Sequence, residues 1–388
     1  MKVTFFSNFI NHHEIPFCNA LYNLLKSDFV FVQTVEMDQE RIQLGWSEAL
    51  SSLSYVKYAH ENAEVYNECI ELGETSDIVI IGSAHETFIK KRIQYNLPTF
   101  YYAERLFRKS FLRAFYPPSS YKIFKRFIYP GWKSNFFLLA ASAYTSYDVD
   151  RLFTFKSRRF RWGHFPKNFH YNINELLKGK EHRKLEILWV GRYIELKHPQ
   201  YAIAIALRLR QEGYDFNLRF IGTGTLEPVL KKQISEYKLV ENVELIGQKS
   251  PLEVRKLMEK ANVFLFTSDF QEGWGAVLNE AMNAGCAIVA SHAIGSVPYL
   301  IQHEYNGLIY KNGSIDDLYQ KVKMLFDNGG LRNKLSTNAY ETIDSIWNAQ
   351  VCANRFYDFC QSLTKHQKPD IYTSGPLSNA PVLKNNWF

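Results

Sequence analysis

The sequence predicts two doubly wound α/β domains. Short β-rich apolar runs alternate with segments of helical period along most of the chain, which means βαβ units and parallel sheets covered by helices. The 388 residues suffice for two or three domains, each with its own core. One polar stretch without an apolar run, NINELLKGKEHRK at 172–184, divides the alternation near its middle.

Strands are read at 3–6 (VTFF), 29–35 (FVFVQTV), 77–82 (DIVIIG) and 99–103 (TFYYA) in the first half. In the second they fall at 185–191, 217–222, 243–247, 263–267 and 287–291. Between them lie stretches such as PQYAIAIALRLRQEG and PLEVRKLMEKA, whose apolar positions stand three and four apart. With the linker placed at 172–184, one Rossmann-like domain covers 1–175 and a second 183–345, facing each other across a cleft. Ligands of such sheets sit at the carboxyl ends of the strands. After Asn312 the pattern is helical to about Leu363, and the last helix, 346–363, is expected to cross back to the first domain. The tail 364–388 has three prolines and no period, so it is expected to be extended or disordered.

Composition removes several classes. Apolar residues make up 46% and charged residues 22%, close to the globular average, which excludes disordered and collagen-like chains. The longest uncharged apolar stretch, Asn135 to Tyr147, is shorter than the roughly 20 residues that span a bilayer. The N-terminus MKVTFFSNFINHHE has no secretory pattern, so a cytoplasmic location is expected. Five scattered cysteines without a CxxC spacing favour neither disulfides nor zinc. The net charge is +7, yet eight basic and no acidic residues fall between Arg105 and Tyr147, while the other positions hold 38 basic against 39 acidic. One segment therefore carries the whole excess, which points to a localised anionic partner. That segment also holds eleven aromatics between Phe107 and Phe137. Cations interleaved with aromatics suit single-stranded nucleic acid or an anionic lipid surface.

The chemistry concentrates in TSDFQEGWGAVLNEAMNAGCAIVAS, residues 267–291. A strand ends near Thr267, a glycine-bearing loop follows, and a helix begins near Ala276 and stops at Gly285. Gly273 and Gly275 let backbone approach a ligand closely, and the N–H groups of residues 275 to 278 make an anion site suited to a diphosphate. Glu272 lies just before the helix and Glu280 in its second turn, a Glu-x7-Glu spacing. Taken singly, the two carboxylates read as a charge at a helix N-terminus and a solvated helix residue. The order strand, Gly-x-Gly loop, helix start favours a site.

EGWGAVLNEAM resembles the Glu-x7-Glu region of the retaining, nucleotide-sugar-dependent glycosyltransferases of family 4, which have the GT-B fold of two facing Rossmann-like domains. The resemblance runs from about Leu185 to Tyr310: VGRYIELKHP at 190–199, FIGTGTLEPVL at 220–230, the segment from Asn242 into the carboxylate motif, then ASHAIGSVPYLI and NGLIY. It implies that Arg192 and Lys197 hold the donor diphosphate, where cations stabilise the departing nucleoside diphosphate. It further implies that Glu272 contacts the transferred sugar, that Glu280 hydrogen-bonds the ribose, and that the backbone of Gly273, Trp274, Gly275, Ala276 and Val277 surrounds phosphate and sugar. Gly222 and Gly224 form the family's Gly-x-Gly turn. Tyr299 stands where the family usually has a glutamate, and FINHHEIPF at 9–17 replaces its paired-glycine acceptor loop, so acceptor recognition does not transfer.

In the first domain His85 follows a strand, as a histidine near the donor sugar does in many members; the plainer reading is a helix-start residue. His12, His13, Glu104 and Arg105 follow strands at the same edge and are read as the acceptor side, against an equal reading as helix-start and loop residues. Asp148-Val-Asp150 lies in a helical stretch where residues two apart diverge, which argues against a metal-binding pair. Gly222-Thr-Gly224 lacks the third glycine of a dinucleotide fingerprint. The chain is therefore identified as a GT-B retaining glycosyltransferase of the bacterial surface-polysaccharide type, with a nucleoside-diphosphate sugar as donor and a polyprenyl-diphosphate-linked glycan as acceptor. It needs no metal or cofactor, sits on the inner face of the cytoplasmic membrane through 105–147, and binds no nucleic acid. The alternatives are a nucleotide-sugar epimerase of the same fold and a catalytically silent sugar-nucleotide or lipid-binding scaffold.

Overall fold

The structure, a computed structural model, describes residues 1–37, 53–181 and 184–388; His182 and Arg183 of the expected linker lie outside the described residues. The chain divides into two compact units, residues 1–167 with 348–384 and residues 168–347 with 385–388.

The first unit holds seven strands: β1 (Val3–Ser7), β2 (Phe29–Gln33), β3 (Val56–Tyr58), β4 (Ile78–Ile81), β5 (Thr99–Ala103), β6 (Phe136–Ala140) and β7 (Arg159–Arg161). All pair in parallel, in the order β3-β2-β1-β4-β5-β6-β7. The central strands read as continuous apolar runs because helices cover both faces and every position of β1, β4 and β6 is buried. The helix Ile15–Leu25 packs on the helix Ala349–Thr364, with Phe17 edge-on to Phe356 at 6.1 Å. Arg92 is fully buried and donates to Thr99 Oγ1 and to the carbonyls of Gly73, Ser76, Asp77 and Pro98 at 2.6–3.1 Å. Five acceptors are what a buried guanidinium needs, and burial still pulls it down to about 10.

The second unit holds β8 (Leu185–Val190), β9 (Phe216–Ile221), β10 (Val243–Gly247), β11 (Val263–Phe266), β12 (Ala287–Ser291) and β13 (Leu308–Tyr310). They form a parallel sheet in the order β10-β9-β8-β11-β12-β13. The chain runs outward from β8 to β10 and then returns to the other side of β8 with β11. The β8/β11 junction is thus the switch point, where the flanking loops part and a ligand crevice opens.

Two expectations need correction. The stretch 172–184 is not a free linker: the helix Ile173–Lys178 is part of the second unit, where Ile173 and Leu176 lie against Gly285. Its charged residues hid the apolar positions Ile173, Leu176 and Leu177. Nor is the tail disordered. Arg161 N–H donates to Ser378 O (2.8 Å), Leu377 and Ala380 N–H donate to Arg161 and Arg159 carbonyls (both 2.9 Å), and Leu377 is fully buried. The open edge of β7 supplies these partners, which the period of the tail alone does not reveal.

Lys180, read as part of the polar stretch, is buried, and its ammonium donates to the carbonyls of Met258 (3.2 Å), Ala261 (2.8 Å), Ala284 (2.6 Å) and Gly285 (2.9 Å). It closes the C-terminal ends of the helices Pro251–Met258 and Val277–Asn283, whose last carbonyls lack intrahelical partners. Burial pulls the ammonium below the usual lysine range. Lys180→Met keeps the volume and removes the donors, and is expected to cost on the order of 3 kcal/mol, since each orphaned buried acceptor costs about 1–3 kcal/mol and some recover water. Urea unfolding would show this as a lowered midpoint with an unchanged slope.

Candidate functional site

The loops after β8 and β11 meet at the switch point of the second unit. After β8 the chain passes through Gly191 and Arg192 into the short turn Glu195–Lys197; after β11 it passes through Thr267–Gly275 into the helix Val277–Asn283. Backbone and side-chain bonds tie the loops together: Asp269 N–H donates to Leu196 O (2.9 Å), Thr267 Oγ1 to Lys197 O (2.6 Å), and Trp189 Nε1 to Thr267 Oγ1 (2.9 Å). His198, held at a positive φ of 46°, meets Asp269 Oδ2 at 3.2 Å and stacks on Tyr201 at 4.8 Å.

Within this frame Lys197 Nζ and Glu272 Oε2 form an ion pair, with the two side chains 14% and 13% exposed. Ser268 Oγ donates to the same carboxylate oxygen (3.0 Å), and Lys197 Nζ lies 5.6 Å from the centre of the Phe266 ring. Gly275 adopts φ +82°, and a Cβ there would run into the Phe266 ring, so backbone lies where a side chain would stand. Gly222 is needed for a similar reason: its Cβ would collide with Gly191 O, which brings the turn holding Gly222 and Gly224 against the loop of Arg192. Arg192 is exposed, and no described residue accepts from its guanidinium. A cation from the β8 loop, a carboxylate and a glycine loop from the β11 side therefore converge, and Arg192 lies on the same β8 loop as Lys197.

The helix after this loop begins at Val277, one residue later than expected, and Leu278 N–H is spent on Gly275 O (3.0 Å). Of the four N–H groups read as an anion site, Leu278's is thus taken. Trp274 is buried, with Nε1 donating to Asn279 Oδ1 (2.9 Å), so only its backbone faces the loop. Tyr299 stacks on Trp347 at 6.0 Å, an aromatic contact where the family pattern has a carboxylate. Glu280 is half-buried in the first turn of its helix, not the second. Arg255, clasped between the rings of Phe169 (4.6 Å) and Tyr171 (5.2 Å), holds that helix by donating to Glu280 O (3.0 Å) and to Asn283 O and Oδ1. Burial raises the Glu280 carboxyl to about 7, against the lowering pull of Arg255.

The folded protein therefore holds the Glu280 proton more tightly than the unfolded chain, whose carboxyl titrates near 4.5. The stability tied to that proton is present below about pH 4.5 and is lost as pH rises through 7. Glu280→Gln is expected to flatten this decline, measured as unfolding free energy by urea titration across that range. Glu14, raised to about 7 by burial, contributes a decline of the same sign that the variant leaves in place.

In the first unit, His12, His13 and Glu104 gather, and His164, Glu14 and Tyr102 join them. Glu104 Oε1 lies 3.0 Å from His164 Nε2, and Tyr102 Oη 3.0 Å from His164 Nδ1; the His12 and His13 rings are 3.8 Å apart. Burial, with His164 second, lowers His12 to about 4, and burial, then His12 and His164, holds His13 well below the usual range. The other two first-unit residues stand elsewhere. His85 is exposed and its Nδ1 accepts from Thr87 N–H (3.3 Å), capping its own short turn. Arg105 is buried against Asp148 (3.6 Å) and Tyr144 (5.0 Å), so it is a fold residue and not part of an acceptor surface. Asp148 also accepts from Leu106 and Phe107 N–H, and Asp150 pairs with Arg159 (2.9 Å).

Residues 174–342, which hold the whole converged set, match the model of the family described as glycosyl transferases group 1. The second unit is thus similar to group 1 glycosyl transferases. The amylovoran biosynthesis glycosyltransferase AmsK of Erwinia amylovora is 33% identical over 163 residues, 41% of this chain and 39% of AmsK. The putative colanic acid biosynthesis glycosyltransferase WcaL of Escherichia coli K12 is 29% identical over 186 residues, 46% of this chain and 45% of WcaL. The chain thus spans less than half the length of these curated relatives. The Anabaena protein HepE, solved in complex with UDP, shares the fold over 94% of this chain and 100% of its own, with a TM-score of 0.69 at 14% identity. Together with the two parallel sheets, this likeness makes the fold of the chain GT-B, as expected.

Sequence reasoning missed His198, Asp269 and Ser268 in the second unit, and His164, Glu14 and Tyr102 in the first. Each follows or ends a strand at its carboxyl edge, the one signal available. For His164 that signal was weak, because β7 is three residues long and two of them are arginines.

Proposed function

We infer that the chain is a retaining glycosyltransferase of surface-polysaccharide assembly, moving a sugar from a nucleoside-diphosphate sugar to a hydroxyl of a polyprenyl-diphosphate-linked glycan. The observation that carries this reading is the pairing of Lys197 with Glu272 beside the Gly275 loop at a sheet switch point, with Arg192 free nearby. Support comes from AmsK and WcaL, named for amylovoran and colanic acid biosynthesis, and from HepE, which was also solved with UDP-glucose.

In this reading the two partners hold each other's place until donor arrives. The diphosphate takes the ammonium of Lys197 and the guanidinium of Arg192, and Glu272 turns to the sugar hydroxyls. Glu280 carries a carboxyl that can both donate to and accept from a ribose diol near neutral pH. The bond from the sugar C1 to the phosphate oxygen breaks, the acceptor oxygen bonds to C1 on the same face, and its proton passes to the departing phosphate oxygen. No protein nucleophile is used. Two fixed cations stabilise the leaving charge, the role a divalent ion fills elsewhere. Activity is accordingly expected to survive excess EDTA; loss restored by magnesium or manganese would count against the assignment.

The first unit meets the membrane through the segment 105–147, whose exposed residues include Lys109, Leu112, Phe115, Tyr116, Lys122, Phe124, Lys125 and Trp132. Among the described residues no helix is long and apolar enough to cross a bilayer. The deciding experiment is a panel of UDP-, GDP-, ADP- and dTDP-sugars scored by released nucleoside diphosphate, with and without lipid-linked acceptors. Acceptor-stimulated release from one donor is expected. Release from none would overturn the reading.

A further inference from the structure

The Lys197–Glu272 pair ties the β8 loop to the β11 loop, yet transfer as proposed dissolves it, because the ammonium goes to the diphosphate and the carboxylate to the sugar. A lysine carries its charge on a flexible four-carbon stem, so its aim then depends on how firmly the backbone at its root is held.

Asp269 holds that root on both sides. Its N–H donates to the carbonyl of Leu196, the residue before Lys197 (2.9 Å), and its Oδ2 lies 3.2 Å from Nε2 of His198, the residue after it. Its own carbonyl accepts from Glu272 N–H (3.0 Å), and its Oδ1 accepts from Gln271 N–H (2.8 Å). One residue thus fixes both neighbours of Lys197 and the backbone of Glu272. The His198 and Asp269 side chains are each 21% exposed, so water competes little for their contact.

The backbone of His198 is a second, independent observation. At φ 46° and ψ 51° it occupies the left-handed region, where a residue with a Cβ is strained and glycine is not. It ends the turn Glu195–Lys197 and stands before Pro199, where the helix Pro199–Gln211 begins. A glycine would make that reversal with less strain. What the imidazole adds is the contact with Asp269 and the stack on Tyr201 (4.8 Å). A strained residue next to a functional cation, secured by a carboxylate from the facing loop, points to a role in holding that cation. We propose that Asp269 and His198 are positioning residues, a latch that keeps the Lys197 ammonium aimed at the departing phosphate once Glu272 has released it; this rests on the glycosyl-transfer reading and names what holds its principal cation.

His198→Gly relieves the backbone and removes the latch. It is expected to lower kcat about tenfold, since slight misplacement of a catalytic charge is costly, while donor KM moves less and the urea midpoint does not fall. A merely structural residue would show activity following stability. Asp269→Asn, which keeps an acceptor for Gln271 N–H, should show the same loss, and the two changes together should lose no more than either alone. The decisive comparison is made in a Lys197→Ala background: with no ammonium to aim, His198→Gly should lower kcat less than about twofold further. Near-normal kcat in both single variants, or the full loss repeated in the Lys197→Ala background, would refute the latch. A wild type that turns over no sugar nucleotide would overturn the transfer reading instead, and calorimetric titration with inorganic pyrophosphate would then judge the latch alone. His198→Gly should bind pyrophosphate more weakly than wild type, with no further weakening in the Lys197→Ala background; equal binding by wild type and His198→Gly would refute it.

Discussion

Lys197→Ala is expected to lower kcat by about 10²–10³-fold, the loss typical when one preorganised electrostatic donor is removed from a developing negative charge. The ammonium is only slightly exposed and is already aimed by Glu272 and by the Thr267 bond to its own carbonyl, so it meets the departing phosphate without reorganising. Arg192 is exposed, and water screens its charge more; Arg192→Ala is expected to lose roughly tenfold less. Removing Lys197 also strands Glu272 in a half-buried position, which lowers stability and invites a misreading of the kinetics. Lys197→Met/Glu272→Gln, which leaves no lone charge, separates the two effects: stability should return while turnover stays low. A Lys197→Ala enzyme with near-normal kcat at saturating donor would refute the diphosphate role. Glu272→Gln alone should affect kcat more than KM, because the sugar reacts and the ribose held by Glu280 does not.

The second sheet was legible, and so was the gathering of its candidate residues at one edge, because several signals coincide there. The strand LEILWVG, the Gly-x-Gly turn and the Glu-x7-Glu spacing each place a residue at the carboxyl end of a strand, and strand ends in a parallel sheet are where crevices form. What escaped is tertiary. Nothing local marks Arg255 as the clasp on the helix of Glu280, since its partners Phe169, Tyr171 and Asn283 are spread over more than a hundred positions. Lys180 read as solvated because lysine nearly always is, and only the convergence of two helix ends on one point makes a buried ammonium tolerable. In the first unit Arg105 sits beside Glu104 in the sequence, yet just past the end of β5 the two side chains part: Glu104 reaches His164 while Arg105 turns inward to Asp148. The aromatic segment was legible as a surface, but which of its rings face water was not. Phe111 is packed against Phe107 and the Arg151 guanidinium, whereas Leu112, Tyr121 and Tyr129, which attracted no notice, are exposed.

Charge reversal of Lys109, Lys122 and Lys125 to Glu is expected to weaken binding to anionic vesicles at least about 100-fold. Each Lys or Arg near such a surface contributes about 1 kcal/mol, and three reversals remove some 3 kcal/mol before the added repulsion is counted. These three are chosen because they are exposed and unpaired among the described residues, whereas Arg108 is engaged by Glu104, Arg126 donates to Gly82 O (2.6 Å) and Arg105 is buried. The apolar part of the surface is substantial: Leu112 is 75% exposed, Phe115 72%, Tyr121 67% and Trp132 58%, more than a face made only for water would carry. Salt screens the lysines within about a Debye length but leaves the aromatic contribution, so wild-type binding should weaken with salt and level off above zero. Leu112→Ser/Phe115→Ser/Trp132→Ser should show the complementary pattern, binding at low salt and none at high salt. Co-sedimentation with phosphatidylglycerol–phosphatidylethanolamine vesicles, with phosphatidylcholine vesicles as the neutral reference, measures both. Equal sedimentation of wild type and the charge-reversed variant on anionic vesicles would refute a membrane role. Tight binding to single-stranded DNA, lost in the same variant, would assign the segment to nucleic acid instead, because stacked bases and phosphates call on the same residues.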